Sequence, residues 1–370
     1  MAIKFDSARW NRIKNDSNKW WEGKLGRPLI QARLFGAEPE REKPLLNLWD
    51  ANANWFSDFI CSFGESVAEE QIVDRWDYAL CCTKFLGDAF PSVWPNFGPG
   101  VLAAFMGAEL HTSPDTVWFD YTQKEKIQDL NLLLDAHNYW LNRVKKIAAV
   151  AVHRWKGNVQ VALTDLGGIM DVLASFRGTE QLIYDIIDAP EDIRRLTMQI
   201  QKLWFDCFNE FESIYKEYNP GYTSWEGIFS ESQYSILQSD FSYMVNNKIF
   251  RNFIKPDLHE SAAMLSHAFY HLDGPGQLKH LDDILSIDAI KGIQWIPGAG
   301  QPDISQWPEV YSKIHKAGKL IQIFDFQYTG TGNILQILKE QIGDISGIIY
   351  MINAPISAQA QIEDLLARYI

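Results

Sequence analysis

The amino-acid sequence predicts an α/β protein whose single domain is a (β/α)8 barrel, also called a TIM barrel, with a mostly helical N-terminal insertion. Three observations predict this fold. Short runs rich in β-branched and aromatic residues alternate with longer helical patterns, as in parallel strands joined by crossover helices. Most of these runs are apolar throughout, which is typical of strands covered on both faces. The chain has 370 residues, and single barrels commonly exceed about 250 residues.

Eight segments of the sequence are predicted to form the strands of this barrel. In chain order they are residues 28–35, 159–164, 222–229, 235–240, 266–273, 290–296, 319–325 and 346–353. Two helices separated near Pro190 are predicted within residues 179–218, and Gly318 and Gly343 stand where the C-caps of two later helices belong. Because no linker rich in proline, glycine or serine divides the chain, residues 1–370 are predicted to form one domain.

Residues 37–156 are too many for one β/α unit. Their pattern is mostly helical, with turns around residues 90–100. We interpret this stretch as a helical insertion between the first and second strands that caps one end of the barrel. A separate N-terminal helical domain is the alternative.

The charge balance excludes two classes of partner. The sequence has 34 Lys and Arg residues against 47 Asp and Glu residues, which gives a net charge of −13. Nucleic acids and anionic membranes need a basic surface, so neither is expected as a partner. The four cysteines lack C-x-x-C spacing and indicate no metal ribbon or disulfide framework. Since no leader-like segment and no apolar window of about 18 residues is found, the chain is predicted to be cytoplasmic.

Polar residues follow most of the predicted strands, and in β/α barrels the chemistry takes place where strands end. Each such residue alone could instead cap a helix or satisfy a loop amide. The residues predicted at these ends are Arg33, Asp165, Trp225, Glu226, Asp240, His271, Asp273, Gln294, Trp295, Asp325 and Asn353.

The most specific local pattern is His271-Leu272-Asp273. Residues i and i+2 of a strand point to the same face, so the imidazole and the carboxylate are expected to share one pocket. They could act as a pair of metal ligands, or as a base and its orienting partner. A hydrogen-bonded histidine at the barrel mouth is the structural alternative. The glycine-rich turns at residues 297–303 and 330–333 could bind an anion, or could be plain turns.

Several segments resemble the uroporphyrinogen-decarboxylase-like superfamily. They are VALTDLGGIMDVLASFRGTEQLIYDIIDAPEDIRRL, SDFSYMVNNKIFRNFIKPDL, FYHLDGPGQLKHLDDILSIDAIKGIQW and WPNFGPGVLAAFMGAEL. The resemblance extends from about residue 85 to the end of the chain. It implies a TIM barrel with its site at the barrel mouth. The superfamily contains cofactor-free decarboxylases of uroporphyrinogen and zinc-dependent methyltransferases that move methyl groups between corrinoids and thiols.

The resemblance transfers only some functional residues. The decarboxylases carry an R-x-x-x-R-Q-A-G-R-Y motif whose arginines bind carboxylates, whereas RPLIQARLFG here keeps only Arg27 and Arg33. Asp88 matches their essential aspartate. The methyltransferases carry an H-x-C motif and a later cysteine, at which this chain has His271-x-Asp273 and Asn353. These three residues are therefore the implied metal ligands, and one nitrogen with two oxygens suits harder ions better than zinc.

We therefore expect an enzyme that acts on a small polar substrate, with corrinoid-linked methyl transfer ahead of decarboxylation of a porphyrinogen-like or other carboxylated substrate. The porphyrinogen-binding arginines are missing, while the H-x-D motif keeps a ligand geometry. The expected catalytic residues are His271, Asp273, Asp240 and Asp165. The expected substrate-binding residues are Arg33, Asp88, Trp225, Gln294, Trp295 and Asp325.

A divalent metal such as zinc, or a corrinoid as co-substrate, would assist methyl transfer, whereas a decarboxylase of this type would need no cofactor. The expected partners are a small-molecule substrate and a corrinoid protein, and a homodimer is left open. Two other functions are also left open: a sugar-processing enzyme, in which aromatic residues and carboxylates line the barrel mouth, and a non-catalytic binding barrel.

Overall fold

Strands and helices alternate along the computed structural model, which describes residues 2–46, 59–113, 116–122, 125–325, 328 and 333–370. The strands in these ranges are β1 (Leu29–Phe35), β2 (Thr83–Gly87), β3 (Ser92–Val93), β4 (Glu109–Thr112), β5 (Val117–Asp120), β6 (Gln160–Val161), β7 (Tyr234–Leu237), β8 (His267–Asp273), β9 (Ile290–Ile296), β10 (Leu320–Asp325) and β11 (Ile348–Pro355).

The helices connect and cover these strands. They are α1 (Ser7–Trp21), α2 (Glu69–Cys81), α3 (Leu102–Phe105), α4 (Tyr139–Trp155), α5 (Ile169–Arg177), α6 (Thr179–Asp188), α7 (Pro190–Tyr215), α8 (Asn247–Ile249), α9 (Lys255–Ala263), α10 (Leu281–Leu285), α11 (Pro308–Lys316), α12 (Ile334–Ile342) and α13 (Gln359–Tyr369). A π-helical turn, Phe250–Ile254, joins α8 to α9, and 3₁₀ turns include Asp240–Met244 and Pro275–His280. Within the described ranges, no helix has both the length and the apolar character needed to cross a lipid bilayer.

Seven of the strands form one sheet in the order β2-β1-β11-β10-β9-β8-β7. β1 and β2 are antiparallel, and every other neighbouring pair in this sheet is parallel. β3 pairs with β6 in parallel, and β4 and β5 form an antiparallel hairpin. The fold is therefore mixed α/β with a mostly parallel sheet.

The two faces of the large sheet bury different apolar clusters. One face carries Phe269, Phe324 and Met351, which pack with Trp20 in a small cluster; we call it the inner face. The other face, which we call the outer face, packs against the helices in the largest cluster. Because both faces are covered, strands from β8 to β11 are apolar along most of their length, as the sequence pattern indicated.

Helix α1 covers the inner face at the amino-terminal ends of the strands. It begins after Asp6, whose side chain accepts a hydrogen bond from the Ala8 amide. At its last turn the ring of Trp20 stacks on Phe269 with centroids 6.1 Å apart, and Trp21 stacks on His267 at 4.2 Å. Several of the predicted polar residues, among them His271 and Asp273, lie at the opposite, carboxyl-terminal ends of the strands.

Six of the eight predicted strands are confirmed, as β1 and β7 to β11. The segment 159–164 contributes only the two-residue β6. The strand predicted at residues 222–229 is wrong: a turn occupies this segment, closed by an antiparallel bridge between Tyr222 and Ser230. The turn forms because Gly227 has a φ of +80°, and because Glu226 accepts hydrogen bonds from its near neighbours Ser224 and Ile228 instead of following an extended path.

The interpretation of residues 37–156 as a mostly helical insertion needs correction. This segment contains α2, α3 and α4, but also four strands from β2 to β5. β2 pairs directly with β1, and β3 pairs with β6. The large sheet ends at β2 and β7 and is not closed within the described residues, so the predicted closed barrel is not confirmed.

Candidate functional site

Asp240, His271 and Asp273 converge at the carboxyl-terminal edge of the sheet. One ligand atom from each of them lies within 4.8 Å of the other two. His271 and Asp273 are the last inner-face residues of β8, and Asp240 begins the 3₁₀ turn that follows β7. Since β7 and β8 are parallel neighbours, their carboxyl ends meet at one edge and bring these side chains together. This set of one imidazole and two carboxylates can bind a divalent cation or carry out acid–base chemistry.

A chain of amide groups fixes the imidazole of His271. Its Nδ1 lies 2.5 Å from Oε1 of Gln294, the register partner of His271 on β9. Gln294 Nε2 donates to Gln322 Oε1 at 2.8 Å, and Gln322 Nε2 donates to the Glu226 carbonyl at 2.9 Å. A carbonyl can only accept, so the whole chain has one direction and His271 Nδ1 is the donor. The lone pair of His271 is then on Nε2, which is free to bind a metal or a proton.

The electrostatics of this edge favour a cation or a shared proton. Although Asp240 is exposed at the surface, partial desolvation by the surrounding protein raises the pKa of its carboxyl group; His271 opposes this shift and Asp273 adds to it. Burial raises the pKa of Asp165 to about 7, with additional repulsion from Asp240 and Glu226. Several carboxyl groups in one partly desolvated space cannot all be ionised without a compensating positive charge.

Trp225 forms an aromatic wall beside the histidine. Its ring meets the His271 ring edge-on, with centroids 5.1 Å apart and an interplanar angle of 86°. Its indole nitrogen is buried and makes no hydrogen bond in the described part of the chain. The turn that replaces the predicted strand at residues 222–229 thus brings Trp225 to the predicted site.

Arg33 and Asn353 lie side by side on the inner face of β1 and β11, where they are register partners. Arg33 is fully buried and donates to Ser92 Oγ at 3.2 Å. Burial lowers the pKa of Arg33 to about 10, opposed by Glu226, so the side chain is still a cation at neutral pH. Asn353 is buried, and its amide nitrogen has no hydrogen-bond partner among the described residues.

Asn353 is not part of the cluster around His271. β9 and β10 separate β11 from β8, which amounts to roughly 14 Å along the sheet at the usual strand spacing. The structure therefore does not bring the predicted ligand set His271, Asp273 and Asn353 together, and the group whose geometry could hold a metal ion is Asp240, His271 and Asp273. Sequence reasoning placed Asp240 in the site but did not identify it as a ligand.

Trp295 and Asp325 point to the outer face, because they alternate with the inner-face residues Gln294 and Phe324. Trp295 is buried against Trp307, with ring centroids 5.1 Å apart. Asp325 accepts a hydrogen bond from the Tyr350 hydroxyl at 2.9 Å. Their assignment to substrate binding beside His271 does not fit these positions.

Asp88 lies at the other end of β1. Its carboxylate accepts two hydrogen bonds from Arg27, at 2.8 and 3.0 Å, and one from the Ile30 amide at 2.9 Å. Ile30 is near the amino-terminal end of its strand, whereas the cluster is at the carboxyl-terminal edge. Asp88 is thus buried in an ion pair, and the structure does not bring this predicted substrate-binding residue to the cluster of Asp240, His271 and Asp273.

Two residues at the site were missed by the sequence reasoning. Gln322 supports Gln294, and the carboxylate of Asp171 accepts hydrogen bonds from the amides of Asp240 and Phe241 at 3.0 and 2.7 Å. An isolated glutamine inside the apolar strand LIQIFD was a usable indication, because a buried amide needs a partner. The turn at residues 297–303 lies in the described part of the chain, whereas residues 330–332 of the second glycine-rich turn lie outside it.

The comparisons with known proteins assign no family. No protein-family model matches this chain, and no curated protein matches it.

Proposed function

We propose that this chain is an enzyme of the uroporphyrinogen-decarboxylase-like superfamily that transfers a methyl group from a small polar substrate to a corrinoid, with a divalent metal bound by Asp240, His271 and Asp273. The convergence of these three side chains within 4.8 Å carries the proposal. The fixed direction of the amide chain supports it, because Nε2 of His271 is left as a ligand atom.

The barrel is part of the same proposal. A closed (β/α)8 barrel would consist of β1, β3, β6 and β7 to β11, with β3 and β6 between β1 and β7. Two sets of hydrogen bonds support the placement of β3 and β6. β3 pairs with β6 in parallel, and the Leu163 amide donates to the Thr223 carbonyl at 3.1 Å beyond β6. On the β1 side, the neighbour within the described residues is the antiparallel β2, and the bond from the Asp88 amide to the Ile30 carbonyl at 2.7 Å continues that pairing.

The donor set fits a hard or borderline divalent ion. One nitrogen and two carboxylate oxygens suit Zn²⁺, Mn²⁺ or Fe²⁺ in a site that leaves positions for substrate. The set contains no thiolate. When bound, such an ion would act as a Lewis acid that withdraws electrons from the heteroatom carrying the methyl group. The substrate that fits best is therefore a methyl ether, a methylamine or methanol.

Methyl transfer breaks the bond between the methyl carbon and its heteroatom. The electron pair of cob(I)alamin, supplied by a partner corrinoid protein, forms the new cobalt–carbon bond, and the heteroatom leaves with the old bonding pair and takes up a proton. Asp165 is suited to supply this proton, because its pKa of about 7 keeps part of the population protonated at neutral pH. Trp225 would exclude water from one side of the reacting groups.

Metal binding tests the first half of the proposal. We expect the wild type, after removal of metal with a chelator, to bind one equivalent of Zn²⁺ or Mn²⁺ by titration calorimetry, and His271→Ala and Asp240→Ala to lose this binding. His259→Ala is the matched control, because His259 is exposed on α9. If the wild type binds neither ion, the proposed metal site does not exist.

Absorbance spectroscopy tests the second half. Cob(I)alamin is incubated with the metal-loaded protein and a panel of methanol, methylamines and methoxyarenes. Conversion of the cob(I)alamin spectrum to that of methylcob(III)alamin, with wild type but not with His271→Ala, would support methyl transfer. Failure with every methyl donor would exclude the donors tested, and release of CO₂ from a carboxylated substrate would favour the decarboxylase instead.

Decarboxylation is the second candidate function, and Arg33 is the observation that favours it. A buried cation on the inner face could bind a substrate carboxylate. Arg27 could not assist, since it is paired with Asp88 and Asp16 near the amino-terminal end of β1. Of these two arginines, Arg33 is the one near the carboxyl-terminal end of β1, and one cation there fits a small carboxylated substrate better than an octacarboxylate.

A further inference from the structure

We infer that Asp171 is a positioning residue, which fixes Asp240 at the correct place for the Asp240–His271–Asp273 cluster. The inference deepens the proposed function and rests on it in so far as the cluster binds a metal. Asp171 lies in the first turn of α5, and its side chain does not contribute an atom to the cluster.

Asp171 acts at the start of the 3₁₀ turn Asp240–Met244. The residue before it, Ser239, makes no capping hydrogen bond with its side chain. The two carboxylate oxygens of Asp171 replace this cap: Oδ2 accepts from the Asp240 amide at 3.0 Å, and Oδ1 accepts from the Phe241 amide at 2.7 Å. A side chain from another helix thus satisfies both leading amides.

Helix α5 packs closely against the end of β7. A Cβ atom added to Gly168, which precedes α5, would lie 2.2 Å from the Gln238 carbonyl oxygen, a contact that real Cβ atoms do not make. A Cβ atom added to Gly167 would lie 2.4 Å from the Gly100 Cα, and the Asp165 carbonyl accepts hydrogen bonds from the amides of Gly100 and Val101. The base of α5 therefore has little freedom to move relative to Asp240.

Other residues support the opposite side of the 3₁₀ turn Asp240–Met244. Nε2 of His280 contacts the Ser242 carbonyl at 3.0 Å, and Lys279 donates to the Tyr243 carbonyl at 2.9 Å. These bonds support the middle of the turn and leave its first residue, Asp240, to Asp171. Without Asp171 the Asp240 and Phe241 amides would lose their acceptors, and fewer contacts would fix the start of the turn.

The test combines amide exchange with metal affinity. The variants are Asp171→Ala, which removes both acceptors, and Asp171→Asn, which keeps one. Asp257→Asn is the matched control: Asp257 is a partly buried aspartate on α9 that accepts hydrogen bonds from Gln201 and Ser261, and no residue of the cluster contacts it in these bonds. Hydrogen exchange is measured at the Asp240 and Phe241 amides of the metal-free protein, and the Kd for Zn²⁺ is measured by calorimetry.

In Asp171→Ala we expect faster exchange at both amides and a Kd for Zn²⁺ raised by about 10- to 100-fold, the usual effect of losing a group that orients a ligand. Asp171→Asn should lie between this variant and the wild type, and Asp257→Asn should match the wild type in both measurements. Unchanged exchange at Asp240 and Phe241 in Asp171→Ala would overturn the inference. If the wild type binds no Zn²⁺, the proposed function fails, while the exchange measurement still decides the role of Asp171.

Discussion

At the scale of single residues, the group opposite Nδ1 of His271 decides what the imidazole can do. Gln294 Oε1 is that group, and it is oriented because Gln322 accepts from the other end of the same amide. Neither glutamine carries a charge, so the pair selects one tautomer of the histidine without adding a carboxylate to a site that already has several. The glutamines buried in β9 and β10 are therefore explained by their hydrogen bonds to each other and to His271 on β8.

Gln294→Leu tests this orienting role. The substitution removes the acceptor for His271 Nδ1, so we expect the Kd for Zn²⁺ to rise by about 10- to 100-fold. The unfolding free energy should fall by about 1 to 3 kcal/mol, because Gln322 loses its buried partner. Gln336→Leu, on the exposed surface of α12, is the control. An unchanged Kd in Gln294→Leu, measured by calorimetry, would contradict the role proposed for the amide chain.

We predict that Asp165 makes the unfolding free energy of the protein depend on pH. Its pKa is about 7 in the folded protein and about 3.9 when unfolded. Between these values the folded state binds a proton that the unfolded state releases, so Asp165 lowers the stability of the protein as the pH rises. From pH 5 to pH 8 this loss amounts to about 2 to 3 kcal/mol of unfolding free energy.

Asp165→Asn should remove this contribution. In urea denaturation of the metal-free protein, we expect the difference in unfolding free energy between variant and wild type to shift in favour of the variant by that amount from pH 5 to pH 8. Asp257→Asn serves for comparison at a remote carboxyl group whose pKa burial also raises to about 7. A pH-independent difference between Asp165→Asn and wild type would show that Asp165 does not titrate in this range.

At the scale of secondary-structure elements, different elements support the carboxyl-terminal and the amino-terminal edge of the sheet. The carboxyl-terminal edge depends on α5 and on the turn from Tyr222 to Ser230, which bring Asp171 and Trp225 to the end of the sheet. The amino-terminal edge depends on α1, whose tryptophans fill the inner face below Phe269. Because the two edges are separate, stability and metal binding should respond independently to substitutions in α1.

Trp20→Ala tests that independence. Trp20 is 1% exposed, and truncation of a buried tryptophan costs about 3 to 5 kcal/mol of unfolding free energy. We expect this loss in urea denaturation together with an unchanged Kd for Zn²⁺. Trp118→Ala, at a residue that is 47% exposed, should cost much less. A large rise in the Kd of Trp20→Ala would mean that the packing below the inner face also sets the geometry of the cluster.

At the scale of the whole molecule, the excess of acidic residues and the carboxylates of the candidate site both favour the binding of cations. The net charge of −13 attracts small cations, and a divalent ion would relieve the repulsion among the carboxylates at the edge of the sheet. A metal that binds only the folded chain also stabilises it. The stability of the protein should therefore report on the occupancy of the site.

Thermal unfolding provides this measurement. At a free Zn²⁺ concentration of 100 times the Kd, the gain in unfolding free energy is about 2.7 kcal/mol, which corresponds to a rise in Tm of roughly 3 to 4 °C for a chain of this length. We expect this rise in the wild type and none in His271→Ala. An equal rise in both proteins would locate the stabilising ion elsewhere, for example at the Glu109, His111 and Asp120 group on β4 and β5.

The sequence by itself determined six strands of the large sheet and the position of His271 and Asp273 at the end of one of them. Apolar runs and the alternation of side chains along a strand are local properties, and they were sufficient for these predictions. Local patterns were misleading at residues 222–229, where a segment rich in aromatic residues forms a turn. They also could not separate Gln294 from Trp295, because alternation alone does not say which face is the inner one.

Only the tertiary structure decided which residues meet. Asp240 joins His271 and Asp273 because β7 and β8 are neighbours, Asn353 does not because two strands intervene, and Asp88 is at the wrong end of β1. Asp171 and Gln322 act through side-chain contacts between separate elements. Distances of this kind depend on strand order and on the packing of helices against strand ends. Because the whole chain determines both, no short segment of the sequence indicates these distances.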